Sequence, residues 1–135
     1  MVEVKRDEIW VVDDSVSVQM QVGNALKKSG YSNVHIITTA DEAIKRLETA
    51  TPKLIVTDSN TASKMDGADV LKAAAGKKIP AIMISGEKTL EEPAKGLGAV
   101  EFFCKMDGPK YVTGLVEKVD TLFGHTQQAS TGRVM

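Results

Sequence analysis

Ile9-Trp10-Val11-Val12-Asp13-Asp14-Ser15 is an apolar run that stops at two carboxylates and a hydroxyl. A strand covered on both faces reads as an uninterrupted run of branched or aromatic residues, whereas a half-solvated strand alternates. Four further runs share that form: Val34-His35-Ile36-Ile37, Leu54-Ile55-Val56, Ala81-Ile82-Met83-Ile84 and Val100 to Cys104. Between them, apolar residues recur at helical spacing in Val18, Val22, Ala25 and Leu26, in Ala43, Ile44 and Leu47, and in Val112, Leu115, Val116 and Val119. Boundary signals agree. Thr39-Ala40-Asp41-Glu42 has the form of a capping box, Gly30 follows the first helix and Pro109 opens the last. Shorter helices are expected over 66–75 and within 90–97, the second held to one or two turns by Pro93 and Gly96.

Strand and helix alternating in this way predict right-handed crossovers and a parallel sheet with helices on both faces. The expected fold class is α/β, a single three-layer α/β/α domain on a five-stranded parallel sheet. It is expected to span residues 8–123, with 1–7 as an N-terminal extension and 124–135 as a polar tail or the start of a linker. A chain of 135 residues, 42% hydrophobic and 26% charged, has the length of one domain and the composition of a globule with a sizeable core. Two-domain enzymes, disordered chains and collagen-like repeats are excluded. Seventeen basic side chains against eighteen acidic ones provide no general pull on nucleic acid or anionic lipid, so neither is expected as a partner. Cys104 is the sole cysteine and forms no internal disulfide, which suits a reducing, cytoplasmic setting. No apolar stretch has the length of a membrane span, and the first residues lack the form of a signal peptide.

In an open parallel sheet, ligands bind beyond the carboxyl ends of the strands. The runs end in Asp13-Asp14, Asp58, Ser85 and Lys105, so three carboxylates, a hydroxyl and an ammonium are expected on one edge. Each has an ordinary explanation alone: Asp14 or Ser15 as a helix cap, Asp58 as a turn residue, Ser85 bonding the backbone and Lys105 as a solvated side chain. Together they do not, because three neighbouring carboxylates repel one another unless a cation or the lysine compensates. An oxygen-only donor set selects Mg2+, which keeps several waters and shares positions with phosphate oxygens. Zinc would want histidine or thiolate. His35 lies in a strand and His125 in the tail, so neither joins the site.

Val11-Val12-Asp13-Asp14-Ser15, Leu54 to Asp58, Met65-Asp66-Gly67, Ile84-Ser85-Gly86 and Phe102-Phe103-Cys104-Lys105, in this order and at these separations, resemble the receiver domain of two-component response regulators. The resemblance implies a CheY-like, flavodoxin-like sheet of order 2-1-3-4-5. It implies that Asp58 is the phosphoacceptor for a sensor histidine kinase or a histidine phosphotransfer protein. Mg2+ would be held by Asp13, Asp14, Asp58 and the main-chain carbonyl of Asn60, while Lys105 and Ser85 would contact phosphoryl oxygens. Ser85 and Phe102 would form the switch that alters the face made by helix four, strand five and helix five, read by an output protein or effector domain still to be identified. Asn60 and Glu87 would border the path of the attacking water. Apart from self-phosphorylation and autodephosphorylation, no enzyme activity is implied.

Several features depart from the family pattern. Eight positions separate Asp58 from Asp66, one more than usual, and Ala62 stands where many receivers have proline. Lys105 precedes Met106 where lysine-proline with a cis bond is common, so the loop after Lys105 either keeps that path or takes another. The twenty positions between Ser85 and Lys105 make helix four short. Cys104 reads as a small core residue. Two alternatives stay open: a receiver-like protein-binding module that works without phosphorylation, and an unrelated enzyme or cofactor protein of the same topology. A flavodoxin fits poorly, since Asp13-Asp14 would repel its phosphate, and a dehalogenase-type phosphatase would want a second carboxylate where Asn60 stands. Neither common glycine-rich nucleotide loop is present.

Overall fold

The computed structural model describes residues 7–61 and 64–124. Ala62, His125 and nearly all of the expected extension and tail lie outside the described residues. Five strands, β1 (Ile9–Val12), β2 (Val34–Ile37), β3 (Leu54–Asp58), β4 (Ala81–Ser85) and β5 (Glu101–Cys104), alternate with five helices. These are α1 (Val16–Lys28), α2 (Ala40–Arg46), α3 (Gly67–Gly76), α4 (Glu91–Gly96) and α5 (Lys110–Leu122). The sheet is parallel throughout and ordered β2-β1-β3-β4-β5, as expected. The chain leaves β1 toward one edge and returns beside it as β3, so the order reverses there and opens a crevice beyond the strand ends.

Alternate residues of each central strand enter different cores. Trp10, Val12, Ile55 and Met83 pack with residues of α2, α3 and α4. Ile9, Val11, Val56 and Ile84 pack with residues of α1 and α5. Each such side chain contributes about 1.5–3 kcal/mol by leaving water; the buried polar Thr57, next to the end of β3, is satisfied by donating to the Asp58 carbonyl at 2.9 Å. The run at 34–37 departs from the burial its composition suggests. β2 is the outer strand, with a neighbour on one side only, and His35 and Ile36 are exposed while Ile37 is buried. His35 pairs with the Asn33 side chain at 2.7 Å, an edge role.

Helix ends follow their capping chemistry. Ser15 and Thr39 accept from the amides of Val18 and Glu42 at the starts of α1 and α2. At Thr39 only that half of the expected box forms, because Glu42 pairs with Arg46 one turn on. The reciprocal box belongs to Asp66 and Asp69 at the start of α3. The short α4 is preceded by a 3-10 turn, Lys88–Leu90. The lengthened segment between β3 and α3 is fastened to α2: the Ala40 amide donates to Thr61 Oγ1 at 2.9 Å and the Met65 amide to Asp41 Oδ1 at 2.9 Å. After Lys105 the chain takes a path of its own, a 3-10 turn over Lys105–Asp107, and the described residues contain no cis peptide bond. No helix among the described residues is long and apolar enough to cross a membrane.

Candidate functional site

The carboxyl ends of β1, β3, β4 and β5 bring Asp13, Asp58, Ser85 and Lys105 to one edge. Asp13 is fully buried and its backbone continues the sheet, with its amide donating to Ile37 O at 3.0 Å. Gln19, one turn into α1, donates through Nε2 to the Asp13 carbonyl at 2.7 Å, and the Ser15 amide donates to Asp13 Oδ1 at 2.9 Å. Asp13 is thus fixed by both strand and helix. Asp58, the last residue of β3, is 8% exposed, whereas Asp14 opens to solvent. Carboxylate oxygens of Asp13, Asp14 and Asp58 all lie within 4.8 Å of one another.

Lys105 reaches this group from the end of β5. Its Nζ donates to Asp13 Oδ2 at 2.8 Å and to Asp58 Oδ1 at 2.9 Å. Burial pushes the Asp58 carboxyl above its ordinary range, and the charge of Asp13 adds to that rise against the opposing pull of Lys105. Burial alone would lower the Lys105 ammonium, but its hydrogen bonds to Asp13 and Asp58 and their charges outweigh that and raise it. One ammonium against three carboxylates leaves two negative charges, with the exposed Asp14 outside the pairing. Hard oxygen donors, excess negative charge and a side open to water suit Mg2+, which binds few carboxylates and retains waters.

Ser85 is 1% exposed. Its Oγ lies 2.9 Å from Ser59 Oγ and accepts from the Glu87 amide at 3.0 Å. Asn60 and Glu87 are exposed at the rim. Phe102 is 6% exposed and packs in the core under α3 and α4, as does Cys104. Next to Lys105 a hollow of about 550 Å³ runs between α1 and α5, lined by Val18, Gln21, Pro109, Tyr111 and Val112.

Two residues contribute through contacts that the sequence does not show. Gly67, the first residue of α3, stands so close to the end of β3 that a Cβ on it would lie 2.2 Å from the Asp58 carbonyl oxygen and 2.9 Å from Ser59 Cα. The glycine after Asp66 is visible in the sequence, but this approach appears only once α3 is set against β3. Ser59 meets a partner twenty-six residues away, which no local pattern predicts.

The family model "Response regulator receiver domain" matches residues 9–117. The Bacillus subtilis alkaline phosphatase synthesis transcriptional regulatory protein PhoP is 33% identical over 118 residues, which cover 83% of this chain and 48% of PhoP. The Archaeoglobus fulgidus protein-glutamate methylesterase/protein-glutamine glutaminase is 36% identical over 107 residues, 74% of this chain and 30% of that protein. The chain therefore spans half or less of these two relatives. It covers 97% of the Helicobacter pylori chemotaxis protein CheY1, at 31% identity over 87% of its own length. Among solved structures, the Brucella abortus NtrX receiver domain superposes with a TM-score of 0.71 at 26% identity, over 82% of this chain and 96% of that one. A response regulator from Chloroflexus aurantiacus shares the fold, with a TM-score of 0.74 at 20% identity over 90% of this chain and all of the other.

Proposed function

This chain belongs to the response regulator receiver domain family of two-component signalling, and on that premise we propose that Asp58 accepts a phosphoryl group from a histidine kinase or histidine phosphotransfer protein. The observation that carries this reading is the Lys105 ammonium held 2.8 Å from Asp13 and 2.9 Å from Asp58, inside a three-carboxylate cluster. An Asp58 oxygen attacks phosphorus, the new O–P bond forms as the N–P bond to the donor imidazole breaks, and the imidazole keeps that electron pair and takes a proton. Partial burial removes water from the attacking carboxylate, and Lys105 keeps it oriented.

Asp13, Asp14, Asp58 and the main-chain carbonyl of Asn60 would hold Mg2+, which when bound supplies positive charge to the phosphoryl oxygens. Lys105 exchanges its bond to Asp58 for one to a phosphoryl oxygen, and Ser85 donates to another. Autodephosphorylation reverses the cycle: water attacks phosphorus between Asn60 and Glu87, the O–P bond to Asp58 breaks, and phosphate leaves.

Output follows from contacts made only in the phosphorylated state. Movement of Ser85 repacks α4 against β5, and Phe102, already in that core, carries the change to the face formed by α4, β5 and α5. An output protein or effector domain reads that face. The test is intact mass after incubation with a small phosphoryl donor and acid quenching. The reading requires a gain of about 80 Da that depends on both Mg2+ and Asp58, and is lost in Asp58→Asn. If wild type neither gains that mass nor binds beryllofluoride with Mg2+, a receiver-like binding module that works without phosphorylation takes its place.

A further inference from the structure

Ser59 touches three parts of the site at once. It follows Asp58 directly in the chain, its carbonyl accepts from the Gly67 amide at 3.0 Å, and its hydroxyl lies 2.9 Å from that of Ser85. The close approach of Gly67 to Ser59 Cα leaves the Ser59 backbone little room to retreat. Its hydroxyl is therefore a fixed partner at the place where Ser85 has to release its proton. Ser59 also borders a small cavity of about 100 Å³ under α4 with Met83, Leu90, Pro93 and Ala94.

The two hydroxyls share one hydrogen bond but carry two protons. One Ser85 lone pair is occupied by the Glu87 amide. Ser85 is 1% exposed, so a proton of its own without an acceptor would be costly, whereas half-buried Ser59 can give its spare proton to water. In the phosphoryl-free state, then, Ser85 donates to Ser59. When a phosphoryl oxygen arrives, the Ser85 proton turns to it, and Ser59 can rotate to donate to the second Ser85 lone pair, the one the Glu87 amide does not use.

We propose that Ser59 is a positioning residue whose hydroxyl holds the Ser85 proton in the phosphoryl-free state and so sets the threshold that phosphorylation has to overcome. The inference rests on the phosphoryl-accepting role of the site. Removing the Ser59 hydroxyl strands a buried Ser85 proton in the free state, while in the phosphorylated state Ser85 retains both the phosphoryl oxygen and the Glu87 amide. The free state loses more, so the bound state is favoured.

Beryllofluoride with Mg2+ is the probe, measured by calorimetry on wild type, Ser59→Ala, Ser59→Thr, Ser85→Ala and the Ser59→Ala/Ser85→Ala double variant. Ser59→Ala is expected to bind about 3- to 10-fold more tightly than wild type. Ser59→Thr should return to the wild-type value, and the effect of Ser59→Ala should disappear in the Ser85→Ala background, a coupling that a merely structural role would not produce. Without the mimic, amide exchange at Glu87 should be faster in Ser59→Ala. Equal or weaker binding by Ser59→Ala, or an unchanged effect without Ser85, overturns the inference while leaving Asp58 as acceptor. Failure of wild type itself to bind the mimic removes the phosphoryl-accepting role and the inference with it.

Discussion

Gly67→Ala tests whether the close seating of α3 on the end of β3 supports the site. An alanine Cβ would meet the Asp58 carbonyl oxygen at 2.2 Å, Ser59 Cα at 2.9 Å and Met83 Cε at 2.9 Å. Restoring ordinary contact of 3.4 Å with that carbonyl requires a displacement of about 1.2 Å of backbone on one side or the other. Met83 can swing aside, but the Asp58 carbonyl and Ser59 Cα are main chain. Overpacking of this kind costs about 1–3 kcal/mol, against a gain of up to about 1 kcal/mol from replacing a helical glycine. The clash wins, and the net effect is about 1–2 kcal/mol of lost stability. Gly76, at the other end of α3, has nothing within 4 Å of its would-be Cβ. Gly76→Ala should therefore stabilise by about 0.4–1 kcal/mol. Urea unfolding of both variants gives the comparison, and phosphoryl uptake by Gly67→Ala should fall as Asp58 is displaced. A Gly67→Ala protein as stable as Gly76→Ala would refute the close-approach reasoning.

Lys105→Met leaves Asp13, fully buried, and Asp58 without the ammonium between them; with the lysine side chain 20% exposed, the loss in EDTA should be about 1–3 kcal/mol. Saturating Mg2+ should stabilise this variant more than wild type, as measured by the shift in Tm. Asp58→Asn removes a carboxylate whose pKa is raised by burial. The folded form binds that proton more tightly than the unfolded chain, so acidification through the folded pKa stabilises wild type. In EDTA the variant should accordingly be the more stable at neutral pH, with the difference shrinking as pH falls toward the unfolded carboxylate range; urea titrations across pH check the sign. Tyr31→Phe deletes a buried 2.6 Å bond from the phenol to Asp120 Oδ1 and should cost about 1–2 kcal/mol in urea.

The parallel sheet was legible because continuous apolar runs have few alternatives in a chain of this length, and their polar terminators placed Asp13, Asp58, Ser85 and Lys105 on one edge; the strand order came from the family resemblance. β2 was legible as a strand but not in its burial, since Val34 to Ile37 read alike at an edge or in the centre. The capping box was read at Thr39, and only packing decided that Glu42 turns to Arg46 while Asp66 and Asp69 form the reciprocal pair. The unusual loop after Asp58 showed in its length, but its anchors on Ala40 and Asp41 lie about twenty residues upstream. Met106 in place of proline left two paths open for the loop after Lys105; the chain takes a 3-10 turn, and the ammonium still reaches both carboxylates. Ser59 was missed for the same reason as the loop anchors: its partner is near only after β3 and β4 pair.

The most direct test of the central claim is reductive trapping. An acyl phosphate is cleaved by hydride to an alcohol, so a phosphorylated aspartate becomes homoserine, which peptide sequencing by mass spectrometry locates by residue. After incubation with Mg2+ and a phosphoryl donor, homoserine at position 58 alone, absent when Mg2+ is withheld, is the predicted result. Homoserine at Asp13 or Asp14 instead, or none at any position in a protein that binds beryllofluoride, would contradict the assignment of Asp58 as the acceptor.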